Sequence, residues 1–366
     1  MSTTTEAIPA QAATRRVPRR RPLRALLWAV IALLALVVAA PAGFLAWSMV
    51  RESKDFRVAA GEGARFVDAD GLAIHYRSWG PEDGRPLVLA HGSLAWGETF
   101  RDIAAPLGER GFRVIAPDIP PFGFSQRPED HDYSRAAGGR RILAFADALG
   151  LERFVLGVHS HGGGAALEAA LAAPERIEAL VLLDVALGLG QTETSSPPAE
   201  LLLDLPVVGD AVVASTFANP LLIGYGLSEL IHDDALVTSE RIALYERPYG
   251  TVGFTDAVRR WLGTGLYGDE RQARSADPAS WQAFRGPVLV IWGREDSVTP
   301  LDQGRTIAER FPGGALRVLD GVNHIPHVEK PDDVVRLVAS LMEALRIADE
   351  GPMTAPKMPR LTARRG

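Results

Sequence analysis

Phe154-Val155-Leu156-Gly157-Val158-His159-Ser160-His161-Gly162-Gly163-Gly164 is the stretch of sequence that decides the fold of this chain. Its first five residues form an apolar run, which predicts a buried strand, and the residues from His161 onward predict a helix. A sharp turn from strand to helix would present the hydroxyl of Ser160 at the top of a sheet. Gly162 lets the strand and helix pack closely, whereas Val158 stands where the G-x-S-x-G pattern has its first glycine. The stretch makes Ser160 a candidate nucleophile.

An acid and a histidine follow the serine at suitable places. The apolar run Val288–Trp292 predicts a strand, and Asp296 lies just beyond it. A short strand over residues 315–319 is predicted next, with His324 in the loop that follows. The chain order of serine, acid and histidine is that of one particular fold, and differs from the trypsin-like and subtilisin-like orders.

Other residues compete for these roles. Asp184 ends a predicted strand over residues 179–183, and Glu295 is the direct neighbour of Asp296, but we favour Asp296 as the acid. His327 is the nearest competitor of His324, and we expect it to play a supporting part.

The remaining histidines near these motifs are not expected to be catalytic. His91 is expected to shape its own loop. His159 and His161 flank Ser160, and no H-E-x-x-H or Cys/His cluster accompanies them, so no metal site is predicted. No cofactor is predicted either.

From about Arg65 to Ile347 the chain resembles the α/β-hydrolases. Four blocks carry the resemblance: Leu89-Ala90-His91-Gly92-Ser93, residues 118–125, the turn at Ser160, and the loops of Asp296 and His324. The alternation of strands and helices indicates a mostly parallel sheet covered on both faces. The resemblance implies eight strands and a helical cap inserted at about residues 185–281.

The resemblance also implies a chemistry. A serine hydroxyl is a poor nucleophile and needs an adjacent base, so His324 would take the proton of Ser160 while Asp296 orients the imidazole. In this fold the oxyanion of the intermediate is held by two backbone N–H groups. One would come from His161 and the other from Ser93 or Leu94.

The amino-terminal part differs in character from the rest. The chain has 366 residues, 47% of them hydrophobic, no cysteine and a net charge of −6. Residues 1–51 carry +6 and the remainder −12, which argues against nucleic-acid binding by the larger part. Arginines precede an uncharged stretch from Ala25 to Val50, long enough to cross a bilayer. The positive-inside tendency places the amino terminus in the cytoplasm and the hydrolase outside it.

The sequence therefore predicts five parts. They are a basic disordered tail (1–24), a transmembrane signal-anchor helix (25–50), a spacer (51–64), a hydrolase domain (65–348) and a disordered tail (349–366). A cleaved secretory signal is the alternative to the anchor, because Ala40-Pro41-Ala42 resembles a cleavage site, and the product would then be secreted.

The predicted function is that of a membrane-anchored serine hydrolase that cleaves small-molecule esters with apolar acyl groups. The cap interval is rich in apolar residues, about a third of which are expected to line a pocket: Leu201, Leu202, Leu203, Val207, Val208, Phe217, Leu221, Leu222 and Ile223. A carbon–carbon bond hydrolase of ring-cleavage products is one alternative, although such proteins usually have further glycines where Leu94-Ala95-Trp96 stands. A non-catalytic binding protein of the same fold is the other, because of Val158.

Overall fold

One sheet organises the molecule. The computed structural model describes residues 21–189, 197–266 and 272–350. Its strands are β1 (Arg65–Ala69), β2 (Leu72–Trp79), β3 (Pro86–Ala90), β4 (Arg113–Pro117), β5 (Phe154–His159), β6 (Ile177–Leu183), β7 (Val288–Gly293) and β8 (Gly314–Leu319). They lie in the order β1-β2-β4-β3-β5-β6-β7-β8. β2 is antiparallel to both of its neighbours, and all other pairs are parallel.

Helices cover the sheet and build the cap. Those of the amino-terminal part and the body are α1 (Arg21–Arg51), α2 (Phe56–Ala60), α3 (Arg101–Glu109), α4 (Arg135–Ala148), α5 (Gly162–Ala172), α11 (Leu301–Arg310), α12 (Pro326–Glu329) and α13 (Pro331–Glu350). Between β6 and β7 lie α6 (Pro197–Asp204), α7 (Pro206–Ser215), α8 (Ile223–Leu230), α9 (Ser239–Glu246) and α10 (Phe254–Trp261).

The strand β5 lies at the centre, and both of its faces are buried. Successive side chains of a strand point to opposite faces. Leu156 accordingly joins the core beneath α4, α5 and α11, whereas Val155 joins the core beneath α3 and α13. The predicted sheet with helices on both faces is confirmed.

A third core belongs to the cap. It contains Val213, Phe254 and Trp261 from the cap, together with Phe122 and Ile325 from loops of the body. The helices α6–α10 therefore pack over the edge of the sheet at which β4 and β8 end. The cap therefore covers the edge of the sheet at which Ser160 lies.

The amino-terminal part is fixed to the cap. The helix α1 begins at Arg21, four residues before the stretch expected to span a membrane. The predicted spacer contains α2, and Lys54 pairs with the cap backbone at Gly250 and Val252. Residues 51–64 are therefore docked on the cap, and α13 continues to Glu350. The predicted tails lie largely outside the described residues, at 1–20 and 351–366.

Candidate functional site

Ser160 lies at a strained turn. β5 ends at His159, Ser160 has a left-handed φ of 51°, and α5 begins at Gly162. A Cβ added to Gly162 would lie 2.8 Å from both Val158 Cγ2 and the carbonyl oxygen of His91. Val158 is thus accommodated because position 162 has no side chain. The departure from the G-x-S-x-G pattern leaves the turn intact.

Ser160, His324 and Asp296 are joined by hydrogen bonds. His324 Nε2 lies 2.8 Å from Ser160 Oγ, and His324 Nδ1 lies 3.0 Å from Asp296 Oδ2 and 3.2 Å from Oδ1. Because Nδ1 faces a carboxylate, it carries the ring proton, and Nε2 is free to accept the proton of Ser160. The structure brings together the three side chains that the sequence singled out.

Asp296 is held by its own loop. Its Oδ1 accepts the N–H groups of Val298 and Thr299, both at 2.8 Å, and its Oδ2 accepts the hydroxyl of Thr299 at 2.6 Å. Burial acts to raise the pKa of Asp296, but the hydrogen bonds to it, that of His324 first, outweigh burial and lower the pKa to about 2. Asp296 is therefore a charged, oriented acceptor for His324.

The two competing acids occupy other positions. Glu295 is exposed and accepts the N–H of Val322. Asp184 is fully buried, and its Oδ1 accepts the N–H of Gly293 at 2.9 Å. Burial, and then its contact with Asp296, raise the pKa of Asp184 well above the ordinary value. Asp184 Oδ2 is buried and has no hydrogen-bond donor among the described residues, which agrees with the raised pKa.

Two histidines beside the turn support it. His159 Nε2 donates to the carbonyl oxygen of His324 at 2.8 Å, which ties the histidine loop to β5. His161 Nε2 accepts the indole N–H of Trp261 at 3.1 Å. Burial lowers the pKa of His159 to about 3 and that of His161 to about 4, so both rings are neutral at physiological pH.

The other two histidines also have structural partners. His91 Nε2 accepts the N–H of Ile119, and its Nδ1 therefore donates to the carbonyl of Gly92, as expected for a residue that shapes its loop. His327 packs its ring between those of Phe100 and His159.

The predicted oxyanion donors surround Ser160. Leu94 has a left-handed φ of 56°, and a Cβ added to the preceding Gly92 would lie 2.9 Å from Ser160 Cβ. Within the described residues, the N–H groups of Ser93, Leu94 and His161 donate to no protein acceptor. They are therefore available to a ligand oxygen.

Two cavities are lined by residues of the predicted oxyanion segments, although Ser160 itself lines neither of them. The larger, of about 370 Å³, extends from Ser93 and Leu94 into the cap, where Phe217, Leu222, Ile223, Tyr225, Leu227, Tyr245 and Tyr249 line it. Three of the nine apolar cap residues singled out from the sequence thus contribute. The smaller, of about 40 Å³, is lined by residues that include Gly92, Phe122, His161 and Trp261.

Sequence reasoning missed three residues that shape the site. Glu329 accepts the backbone N–H groups of Asn323, Ile325 and His232 and so holds the His324 loop to the cap. Thr299 holds Asp296, and Trp261 holds His161. Thr299 follows Asp296 by three residues, a spacing at which a side chain can bond to its own loop. Glu329 and Trp261 act on residues distant in sequence, and no local pattern marks them.

Comparisons with known proteins agree with this geometry. Residues 85–331 match the family described as the alpha/beta hydrolase fold. The 2-hydroxymuconate semialdehyde hydrolase of Pseudomonas putida is 29% identical over 274 residues, covering 71% of this chain and 88% of the relative. A solved meta-cleavage product hydrolase from Pseudomonas fluorescens is 25% identical with a TM-score of 0.64, covering 76% of this chain and 97% of that one. A solved membrane phospholipase A is 25% identical with a TM-score of 0.60, covering 89% of this chain and 99% of that one.

Proposed function

Because this chain belongs to the α/β-hydrolase family, we propose that it is a membrane-anchored serine hydrolase that cleaves carboxylic esters with apolar acyl groups. One observation carries the proposal. A hydrogen-bonded chain runs from Ser160 through His324 to Asp296, and the Ser93-Leu94 segment, which follows Gly92 beside Ser160, lines a cavity of about 370 Å³ with mainly apolar walls.

The chemistry follows from the contacts. Ser160 Oγ attacks the ester carbonyl while its proton passes to His324 Nε2, and the charge of Asp296 stabilises the imidazolium that forms. The N–H groups of His161 and of Ser93 or Leu94 hold the oxyanion. His324 then returns the proton to the leaving alkoxide, and water releases the acyl group by the same steps in reverse order. The larger cavity takes the acyl chain.

A serine-directed fluorophosphonate tests the nucleophile. It should label the full chain in detergent, and labelling should disappear in Ser160→Ala without a change in thermal unfolding. Ser125→Ala is the control, because Ser125 is buried in the neighbouring loop and should leave labelling unchanged. Equal labelling of Ser160→Ala would disprove the assignment.

A panel of nitrophenyl esters tests the substrate class. Each added methylene in the acyl chain should raise kcat/KM by up to about fourfold while the cavity has room, since a buried methylene contributes about 0.8 kcal/mol. A profile that is flat or falls from acetate upward would contradict an apolar acyl pocket.

The second candidate function is hydrolysis of a carbon–carbon bond in ring-cleavage products. It is supported by the names of relatives such as the 2-hydroxymuconate semialdehyde hydrolase. The test substrate is a vinylogous diketone acid, the type of ring-cleavage product that such enzymes hydrolyse at a carbon–carbon bond. Rapid cleavage of this bond, with negligible esterase activity, would favour this function over the first.

We further propose that α1 anchors the chain with its amino terminus in the cytoplasm and its hydrolase domain outside. The full chain should fractionate with membranes, and a protease added outside the cytoplasm should reach the catalytic domain. Recovery in the cytosolic fraction would contradict the anchor, whereas a mature protein that begins near Gly43 would indicate a cleaved signal.

A further inference from the structure

The cap carries an uncovered apolar surface. Between Leu205 and Ser228 the only charged residue is Asp210, which pairs with Arg259 at 2.6 Å. The large apolar side chains exposed on α6–α8 and on the turn between α7 and α8 form what we call the cap apolar face: Leu201, Leu202, Leu205, Val207, Val208, Phe217, Leu221, Leu222 and Tyr225. A concentration of exposed apolar side chains on consecutive elements is a candidate site of contact with a protein or a membrane.

This surface does not arise from a second membrane-spanning helix. Residues Pro206–Leu230 are numerous and apolar enough to cross a bilayer by length and composition alone. However, α7 ends at Ser215 and α8 begins only at Ile223, with an irregular turn between them. Exposed irregular backbone is not tolerated in the hydrocarbon core, so the segment is suited to the interface and unsuited to spanning.

The cap apolar face lies beside the anchor. The helix α1 packs on α7. Arg51, the last residue of α1, donates to the carbonyl of Ala218 at 3.0 Å and to that of Tyr249 at 3.2 Å. Glu52 accepts the N–H of Thr255 at 3.0 Å. A bilayer that receives α1 therefore meets α7 and Phe217 as its immediate neighbours.

The length of the anchor agrees with this placement. Its uncharged stretch of 26 residues, Ala25–Val50, would measure about 39 Å as a helix, whereas the hydrocarbon core is about 30 Å thick. Trp47, a residue type common at the membrane interface, lies one turn before Arg51. The last turns of α1, to which the cap is bound, thus reach the level of the lipid headgroups.

We propose that the cap apolar face enters the interfacial layer of the bilayer that holds α1, and that the larger cavity opens into this layer. Phe217, Leu222 and Tyr225 are partly exposed on this face and also line the cavity, so its mouth lies there. An ester dissolved in lipid then enters from the membrane. The inference rests on the proposed anchoring and adds to it the source of the substrate.

Single-cysteine labelling tests the placement, because the chain has no cysteine of its own. The full chain is placed in phosphatidylcholine vesicles and labelled with an environment-sensitive fluorophore at Val37→Cys in α1, at Leu221→Cys in the cap apolar face, or at Ile347→Cys on α13. All three residues are exposed apolar positions. Nitroxide-bearing lipids should quench the labels at positions 37 and 221 and leave the label at 347 unaffected.

The outcomes distinguish insertion of the cap apolar face into the bilayer from anchoring by α1. Quenching at 37 without quenching at 221 would overturn the inference and leave the anchor in place. Absence of quenching at both positions would overturn both. A label at 221 that escapes lipid quenching, but is shielded from iodide more strongly as protein concentration rises, would assign this face to a second copy of the chain and also overturn the inference.

A charged substitution tests the route of the substrate. Leu221 does not line the cavity, so Leu221→Glu should change kcat/KM for a water-soluble acetate ester by less than about twofold. For a long-chain ester held in vesicles it should lower kcat/KM by about tenfold or more, because a charge is costly in the apolar layer. Ile347→Glu is the matched control. Equal losses on both substrates, or no loss on the vesicle substrate, would contradict entry from the membrane.

Discussion

Two buried carboxyl groups adjoin His324, and they should respond differently to the same substitution. Asp296→Asn removes the charge that faces His324 Nδ1 and should lower kcat by about four orders of magnitude, the effect of the equivalent change in serine proteases. Asp184 is the member of the pair with the raised pKa, which favours its neutral form, and an amide in its place can both accept from Gly293 and donate to Asp296. Asp184→Asn should therefore lower kcat by less than about tenfold.

Asp184→Ala completes this comparison. It leaves the buried N–H of Gly293 without its acceptor, which should lower the free energy of unfolding by about 1–3 kcal/mol. Steady-state kinetics and chemical denaturation of the three variants test the assignment. If Asp184→Asn lowered kcat by orders of magnitude while Asp296→Asn lowered it only slightly, the assignment of Asp296 as the acid of the site would be wrong.

Buried neutral histidines should make the fold sensitive to acid. The folded-state pKa of His159 is about 3, below the ordinary value near 6.5. Between these two pH values the unfolded chain binds a proton at this ring and the folded chain does not. The free energy of unfolding should therefore fall as the pH is lowered from about 6.5 toward 3, with up to about 1.4 kcal/mol per pH unit from each such group. Asp296, with a pKa near 2, acts in the same direction below about pH 4.

Substitution isolates the contribution of one ring. His159→Gln keeps a donor for the carbonyl of His324 and removes the titrating group. The slope of the free energy of unfolding against pH should therefore become shallower between pH 6 and pH 4.5, by up to about 1.4 kcal/mol per pH unit. His232→Gln, at an exposed position, is the control. Denaturation of the full chain in detergent at several pH values gives the slopes, and identical slopes in wild type and His159→Gln would contradict the argument.

The contacts of individual residues show what the sequence could and could not predict. Ser160, Asp296 and His324 were predictable, because each follows a strand whose carboxyl end reaches the same edge of the sheet. The raised pKa of Asp184 was not predictable, because it depends on burial and on Asp296, which is distant in sequence. The burial of Arg259 against Asp210 was likewise not predictable, since it arises where α7 folds back beside α10.

The turn between β5 and α5 depends on the absence of a side chain at one position. Gly162→Ala would place a methyl group 2.8 Å from Val158 Cγ2 and from the carbonyl of His91, and overpacking of this kind costs about 1–3 kcal/mol. Val158→Ala removes one of the two clashes, so the double variant should recover part of the loss. Gly226→Ala in α8 meets no atom within 4 Å and should be neutral or slightly stabilising.

Thermal unfolding of these variants tests whether the turn at Ser160 requires glycine at position 162. A Gly162→Ala protein as stable as wild type would show that the turn can relax without cost. Losses that are equal with and without Val158→Ala would show that the carbonyl of His91 alone sets the restriction.

At the level of elements, strands were easier to predict than the cap. The body strands are short apolar runs bounded by glycine, proline or charge, and that pattern is local. The cap helices α6–α10 are short, and their apolar residues divide between a core, a cavity and an exposed face. This division depends on neighbours such as α1 and the loop of Phe122, which sequence spacing does not reveal.

For the whole molecule, the main difference from expectation is that α1 and the cap form one assembly. The segment expected to be a spacer holds Arg51, Glu52 and Lys54, each bonded to the cap. The hydrolase domain was predicted to begin only at residue 65, after this spacer. The contacts place the structural boundary earlier, before Trp47, whose ring packs under Arg51.

Two truncations should therefore differ. A chain that begins at Ala46 keeps the contacts of Arg51 and Glu52, whereas one that begins at Lys54 loses them and uncovers part of α7. Since hydrogen bonds to charged groups contribute about 1.5–3 kcal/mol each, the shorter chain should be less stable by several kcal/mol. Denaturation in detergent compares the two, with Arg51→Ala in the longer chain expected to lie between them. Equal stability would mean that the cap folds without its link to α1, which would then be joined to the domain only through the connecting chain.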